Sequence, residues 1–362
     1  MEQFDLHEIS SHFLPKEGIE SVAPLGEGFI NDTFVVGTKG GVRYLLQRKN
    51  RHIFTDVPAM MDNIAKVTAH LKRAIIREDG DPLRETLTLT PTVDGKLYHV
   101  DAQHEYWAMC LFIAGSRSYE TVDSSEIACC GGKGVGKFQR MLVDFHEPLA
   151  DILPGFHNIR FRYQQWDRVI RENPAGRNAR MKTEIEWIES RRNEMLSFWQ
   201  KVEQGIIPSR VVHNDTKISN ILFDSNGAVL GMIDLDTVQQ NTVLNDFGDA
   251  IRSYTNTGAE DEKDLTKVNF DIERFHAFTT GYLEEAAGFL TAEEVEYLPF
   301  AGRYITFEQV LRFLMDYLDG DHYYKIKYPE HNLIRTLAQY KLLTDMETRE
   351  RDIKDVVCSL AG

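Results

Sequence analysis

The chain changes character once, at Gly115, and that change limits what it can fold into. Before it, short apolar segments between turn residues read as strands: "IESVAPLG", "DTFVVG", "VRYLLQR", "ETLTLT", "KLYHV" and "EYWAMCLFI". "TKGG" joins the second and third as a hairpin, and Asp94-Gly95 turns the chain before the fifth. Residues 5–14 read as a short helix, and "VPAMMDNIAKVTAHLKRAI" puts Met60, Ile64, Val67 and Leu71 on one helical stripe. After Gly115 helical spacing dominates, over roughly 125–147, 161–173, 180–204, 271–287, 292–319 and 331–357. One β-rich island interrupts it, "RVVHNDTKISNILFDSNGAVLGMIDLDT", with a hairpin turn at Ser225-Asn226-Gly227. The pattern predicts an α+β chain: a small antiparallel-sheet lobe over 1–113 and a larger, mainly helical lobe over 114–362.

With 362 residues, 42% of them hydrophobic, the chain has material for a sizeable core. A formal net charge of −15 and no long Lys/Arg run argue against nucleic acid as a partner. Cys110, Cys129, Cys130 and Cys358 form neither a C-x-x-C pair nor a disulfide framework. The acidic start "MEQFDLHEIS" has no signal-peptide character, and no run of about 18 apolar residues suggests a membrane span. A cytoplasmic protein without a membrane partner is the expectation. Oligomeric state is not legible.

"GGKGVGKF", Gly131 to Phe138, imitates a phosphate-binding loop. Such a loop needs a Mg²⁺-binding hydroxyl after the lysine, and it follows a buried strand. Here Phe138 follows Lys137, and "DSSEIACC" precedes the glycines. Ile127, Gly131, Gly134, Phe138, Leu142 and Phe145 recur at helical spacing, with Asp123 or Ser124 as a cap. A helix with small residues at a close packing contact is the preferred reading. A P-loop nucleoside triphosphatase is the alternative.

The stronger chemical signal is "VVHNDTKISNILFD" followed by "VLGMIDLDT". Phosphoryl transfer needs a carboxylate facing the attacking hydroxyl, oxygen ligands for Mg²⁺ and donors around the phosphates. Asp215 follows a short apolar strand. Asn220, five residues on, offers a hard amide oxygen, and Asp234 ends another apolar strand. "LGEGFINDTFVV" puts Gly26 and Gly28 at a strand-to-strand turn, where backbone N–H groups can approach phosphates or simply close a hairpin.

At these residues the chain resembles the aminoglycoside phosphotransferase and choline kinase superfamily, which has a protein-kinase-like fold. His213, Asp215, Asn220 and Asp234 match its H-x-D-x-x-x-x-N and I-D pattern. The resemblance implies ATP as phosphoryl donor, Asp215 as the catalytic carboxylate, and Asn220 and Asp234 as Mg²⁺ ligands. It implies nucleotide contacts from Gly26, Gly28 and Asn31, and from the connector "CLFIAG" through Leu111, Phe112 and Ile113. His213 and Asp246 of "NDFGDAIR" match supporting positions. The family usually pairs a third-strand lysine or arginine with a glutamate on the next helix. The aligned position here is Gln47, and "MDNIAKVTAHL" has no glutamate. Arg48 and Lys49 are the neighbouring cations, and strand alternation sends Arg48 to the other face. Phe29 stands in the glycine turn where the family has a polar residue.

Across nearly its whole length the chain resembles one branch, the N-acetylhexosamine 1-kinases, through "HNDTKISNILFD", "IDLDT", "DFGDAIR", "EDEKDLTKVNF" and "RFLMDYLDGDHYYKIKYPEHNLIRT". That resemblance implies phosphorylation of the anomeric hydroxyl of N-acetylglucosamine or N-acetylgalactosamine, with Arg312 and Tyr323 on the sugar. Read from the residues alone, an i,i+4 surface pair with Glu308 stays open for Arg312, and a loop closure for Tyr323. Two further readings stay open: a kinase of the same fold for choline, homoserine or an aminoglycoside, and a non-catalytic ATP-binding pseudokinase.

Overall fold

The computed structural model describes every residue except 1–3, 16–17 and 26–29. The turn at Gly26 and Gly28, with Phe29, therefore lies outside the described residues. In chain order the elements are α1 (Leu6–Ser11), β1 (Ile19–Pro24), β2 (Asp32–Thr38), β3 (Arg43–Lys49), α2 (Val57–Arg77), β4 (Leu89–Thr90), β5 (His99–Val100), β6 (Tyr106–Leu111) and α3 (Ser125–Met141). They continue with α4 (Ile159–Glu172), α5 (Lys182–Glu203), β7 (Arg210–Val212), β8 (Ile221–Phe223), β9 (Val229–Met232), β10 (Gln239–Asn241) and α6 (Val243–Tyr254). Last come α7 (Ile272–Ala286), α8 (Ala292–Asp319), α9 (His331–Thr348) and α10 (Glu350–Ala361).

The chain divides into two compact units. The first gathers Met1–Ser118, Met141–Leu153 and Ile221–Gln239. Asp234 and its hairpin thus fold with the sheet, although the sequence pattern groups them with the helices. The sheet runs β1-β2-β3-β6-β4, antiparallel, with β5 also on β6. Phe34, Leu46 and Met109 stand opposite one another across three strands. Val36, Leu46, Trp107 and Met109 are buried against Ile9, Phe13 and Leu14 from the N-terminal segment. Asp56 caps α2 by accepting the Ala59 amide at 3.0 Å, and the helix buries Met60, Ile64, Val67 and Leu71 as the stripe predicts. None of its buried residues is acidic.

The second unit gathers Tyr119–Arg140, Pro154–Asn220 and Gln240–Gly362. Its centre is α8, opened by a capping box of Thr291 and Glu294 and closed by Gly320 at φ 110°. Most of α8 is buried, as expected of a helix apolar on nearly every side. No described helix is long and apolar enough to cross a membrane.

Three helix expectations need correction. The stretch 331–357 is two helices, broken at Arg349, and α3 ends at Met141 rather than near 147. The sequence reading has no helix at Val243–Tyr254. Asn245, Asp246, Gly248 and Asp249 are weak helix formers there, yet all are buried in α6. "GGKGVGKF" lies wholly inside α3, with Ser124 Oγ accepting the Ile127 amide at 3.3 Å. Two of its glycines face α7, where a Cβ at Gly132 would collide with the Phe278 carbonyl oxygen and one at Gly136 would crowd that of Tyr282; on α7 itself, one at Gly281 would collide with the Cys129 carbonyl oxygen. The two backbones meet where no side chain fits.

Candidate active site

In the second unit, β7 leads into His213, Asn214 and Asp215, and a short 3₁₀ turn, Ile218–Asn220, ends the loop. Asn214 adopts φ 65°, a left-handed conformation that costs a non-glycine residue about 1–3 kcal/mol and needs its surroundings to hold it. The carboxylate of Asp246 on α6 supplies that hold. It accepts the His213 amide at 2.9 Å and the Asn214 amide at 2.7 Å, and Gln139 Nε2 donates to it at 3.1 Å. Burial pushes the Asp246 carboxyl upward, against the charge of His213 and these donors. One turn along α6, Asp249 accepts the Thr216 amide at 3.0 Å. Burial pushes Asp249 up as well, but Arg252 at 3.0 Å outweighs it and holds the carboxyl low. The glycine-rich helix thus serves this loop: Phe138 packs edge-on against His213, ring centroids 5.5 Å apart, and Gln139 reaches Asp246.

Asp215 and Asn220 are brought together. Asn220 Nδ2 donates to the Asp215 carbonyl and to its Oδ2, both at 2.9 Å. The amide nitrogen is thereby committed, which leaves Oδ1 as the oxygen to offer a cation. Lys217 Nζ lies 3.0 Å from Asp215 Oδ2. In the first unit Asp234 is left-handed at φ 61°, at the end of β9, another strained non-glycine position. Among the described residues no three His, Cys, Asp or Glu side chains cluster to hold a metal by themselves. An amide oxygen and a carboxylate are hard ligands of the kind Mg²⁺ takes one or two at a time, with phosphate oxygens and waters completing its shell.

The buried cation of β3 is Lys49, not residue 47. Lys49 Nζ lies 2.7 Å from Asp236 Oδ1 and 2.9 Å from Oδ2, and it donates to Gln47 Oε1 at 2.8 Å. Gln47 Nε2 faces Thr33 Oγ1 at 3.3 Å. β3 therefore ends in a buried ion pair, with an acid that does not come from the next helix. Lys49 and Gln47 are two apart and share a face of the strand, and the acid comes from "IDLDT", two residues after Asp234. Arg48, on the other face, bonds Asp32 at 2.8 Å. Asn31 Nδ2 donates to Asp236 Oδ2 at 2.7 Å, and its Oδ1 accepts the Asn50 amide at 3.0 Å. At the connector, the Leu111 and Phe112 amides donate to the Thr88 and Arg43 carbonyls at 2.8 and 3.0 Å, and Ser116 Oγ donates to the Ile113 carbonyl at 2.6 Å.

Arg312 is no surface partner of Glu308. Both are buried on α8, and Glu308 bonds His157 and Arg162 instead. Among the described residues the Arg312 guanidinium has only long contacts to neutral oxygens, 3.4 Å to Tyr323 Oη and 3.5 Å to Gln309 Oε1. Around it stand the rings of Phe156, Tyr323 and Tyr324, centroids 6.0, 5.5 and 5.4 Å away. Among the described residues no carboxylate lies within ion-pair distance of it. Tyr323 is 65% exposed, and its loop is fixed by Asp316, which accepts the amides of His322, Tyr323 and Tyr324 at 2.8–3.0 Å. Lys49, Asp236, His157 and Glu308 are the residues that sequence reasoning missed or left unassigned. Two of them had a signal: Lys49 through strand alternation, and the second aspartate of "IDLDT" through its two-residue spacing from Asp234.

Residues 21–287 match the model of the phosphotransferase enzyme family. The chain belongs to that family, and its fold is the two-lobed, kinase-like one: an antiparallel-sheet lobe and a helical lobe. It is similar to the microcompartment-associated aminopropanol kinase (16% identity, covering 96% of this chain and 97% of that one, TM-score 0.62). It is similar also to amicoumacin kinase hAmiN in complex with AMP-PNP, Ca²⁺ and Ami (14%, 96% and 94%, TM-score 0.58). A third is ethanolamine kinase Pv091845 of Plasmodium vivax (12%, 91% and 85%, TM-score 0.53). At these identities the likeness is one of fold.

Proposed function

We propose that this protein is a Mg²⁺- and ATP-dependent kinase that phosphorylates the anomeric hydroxyl of an N-acetylhexosamine, giving the sugar 1-phosphate and ADP. Asp215 accepts the proton of that hydroxyl, whose hemiacetal setting makes it more acidic than an ordinary alcohol. Lys217, beside the same carboxylate oxygen, meets the charge of the phosphoryl group in transfer. Lys49, held by Asp236, anchors the phosphates of the nucleotide. Mg²⁺, bound through Asn220 and Asp234, would neutralise phosphate charge. The Lys49–Asp236 pair supports the kinase reading over a pseudokinase.

The observation that carries the sugar reading is Arg312. A buried guanidinium with weak neutral partners favours a ligand that brings oxygen acceptors, such as hydroxyls and an acetamido carbonyl, and disfavours an ammonium. A second reading is a kinase of another small alcohol, an amino alcohol or an aminoglycoside. Its support is the net charge of −15 and the acceptors named for the similar aminopropanol and ethanolamine kinases.

The test is ³¹P NMR of the protein with Mg²⁺-ATP and either N-acetylhexosamine, beside Asp215→Asn. A phosphomonoester coupled to the anomeric proton, absent with Asp215→Asn, is the expected result. Turnover only with an amino alcohol would replace the sugar reading by the second, and ATP binding with no acceptor turned over would restore the pseudokinase.

A further inference from the structure

Two strained residues meet beside Asp215. His157 has φ 55° and Asn214 φ 65°, both left-handed and neither glycine. His157 is 2% exposed, and its ring has an acceptor at each nitrogen. Nδ1 lies 2.6 Å from Glu308 Oε2, and Nε2 lies 3.4 Å from the carbonyl oxygen of Asn214. A neutral imidazole carries one N–H and leaves the other nitrogen's lone pair facing an oxygen. Only the imidazolium donates to both. Charged groups face it from three helices. Glu308 and Arg312 come from α8, Arg162 from α4, and Asp249 with its partner Arg252 from α6. The position of His157 is itself over-determined: its carbonyl accepts the Tyr304 hydroxyl at 2.8 Å, and Tyr304 Oη accepts the Ile159 amide at 3.3 Å. Phe156, the preceding residue, forms one wall around Arg312, and Arg312 follows Glu308 by one helical turn.

We infer that His157, as an imidazolium, is a positioning residue that ties the Arg312 face of α8 to the backbone of the Asn214-Asp215 loop. This rests on the reading of Asp215 as the group that takes the acceptor's proton. Asp246 holds the amides of the loop, and His157 holds the carbonyl that points the other way. The Nε2 contact is long for a hydrogen bond, and on this inference acceptor binding at Arg312 shortens it. A residue acting in this way lowers kcat when it is lost and leaves the nucleotide's KM in place.

The experiment has one arm that needs no turnover and one that does. In the first, the ¹⁵N resonances of the His157 ring are recorded in the full chain near neutral pH and assigned by their loss in His157→Gln. Two protonated nitrogens are expected, and a single one overturns the inference; should His157→Gln not fold, His157→Asn makes the same assignment. Hydrogen exchange over 213–216 should speed about tenfold in His157→Gln and in Glu308→Gln, and unchanged exchange in a folded variant also overturns it. In the second arm, kcat with Mg²⁺-ATP and the acceptor falls about tenfold or more in each variant. KM for ATP stays within about twofold, and the double variant is no slower than the worse single. Multiplying effects, or an unchanged kcat, would show that the two residues do not act as a unit on Asp215. If the wild type turns over no acceptor, the reading of Asp215 fails, and the first arm still decides the protonation and the coupling.

Discussion

Lys49 and Asp236 form a buried ion pair, Nζ 2.7 Å from Oδ1, with both side chains under a tenth exposed. The lysine ends β3 and the aspartate follows the last strand of a hairpin more than 180 residues later, so the pair joins two segments of the first unit that are distant in sequence. Asn31 and Gln47 take up further hydrogen-bonding capacity of the pair, as charges out of water require. The acid that the helix does not supply comes from the turn that also carries Asp234.

A double-mutant cycle should reveal this coupling. Lys49→Met or Asp236→Leu alone leaves an uncompensated buried charge and should cost about 3–5 kcal/mol in urea unfolding. The double variant should lose clearly less than the sum of the two, and additive losses would mean that the pair does not interact as the structure has it.

Two small residues report on the helix crossing. Alanine for glycine in an exposed helix gains about 1 kcal/mol. Gly132→Ala and Gly281→Ala should instead destabilise by about 1–3 kcal/mol, because each methyl meets a carbonyl oxygen of the opposite helix. Lys137→Ala should leave ATP affinity, measured by calorimetry, unchanged. Loss of ATP binding with the fold intact would restore the phosphate-loop reading.

Asp246 predicts a loss of both stability and rate. Asp246→Ala strands the buried amides of His213 and Asn214, and each unsatisfied donor costs about 1–3 kcal/mol. A lower unfolding midpoint should accompany a fall in kcat of about a hundredfold or more. Full activity in a stable Asp246→Ala protein would show that the loop holds its shape without the brace.

Arg312→Met keeps much of the buried bulk and removes the donors. KM for the acceptor should rise at least about tenfold and KM for ATP about not at all. Steady-state kinetics with each substrate varied separates the two, and an unchanged acceptor KM would take Arg312 out of the acceptor site.

Much of this was legible in the sequence, for a physical reason. Strands β1 to β3 and α2 have strong periodicity and good turn or capping residues, and α8 has a capping box and a long apolar run, so local and tertiary preferences agree. Asp215 and Asn220 are visible because one short loop must carry both. The misses lie where tertiary contacts override local preference. α6 turns its buried acids into the loop that holds Asp215, and those acids make it read as irregular. Lys49 looks two residues out of place until Asp236 is seen opposite it. His157 and Glu308 are 151 residues apart, and nothing local marks either. Pairings set by packing leave no spacing to read.

Glu308 makes the sharpest prediction about acid. Burial alone would push its carboxyl up, but the charge and hydrogen bond of His157, with Arg162 and Arg312 behind them, outweigh burial and hold it at about 2 against an ordinary 4.5. A carboxyl whose folded value is depressed adds stability that is present above its unfolded value and lost as the pH falls through its folded one. The window is therefore from about 4.5 down to about 2. The size is on the order of 3 kcal/mol, taking about 1.4 kcal/mol for each unit. Other carboxyls held low, Asp249 among them, contribute in the same acid range, so the wild type alone cannot isolate the group. The difference between wild type and Glu308→Gln can. In urea unfolding at a series of pH values the variant should be the less stable protein at pH 6, and the gap should narrow steadily below about pH 4.5. A gap that stays constant down to pH 2.5 would mean that the Glu308 carboxylate gains nothing from its cationic neighbours on folding.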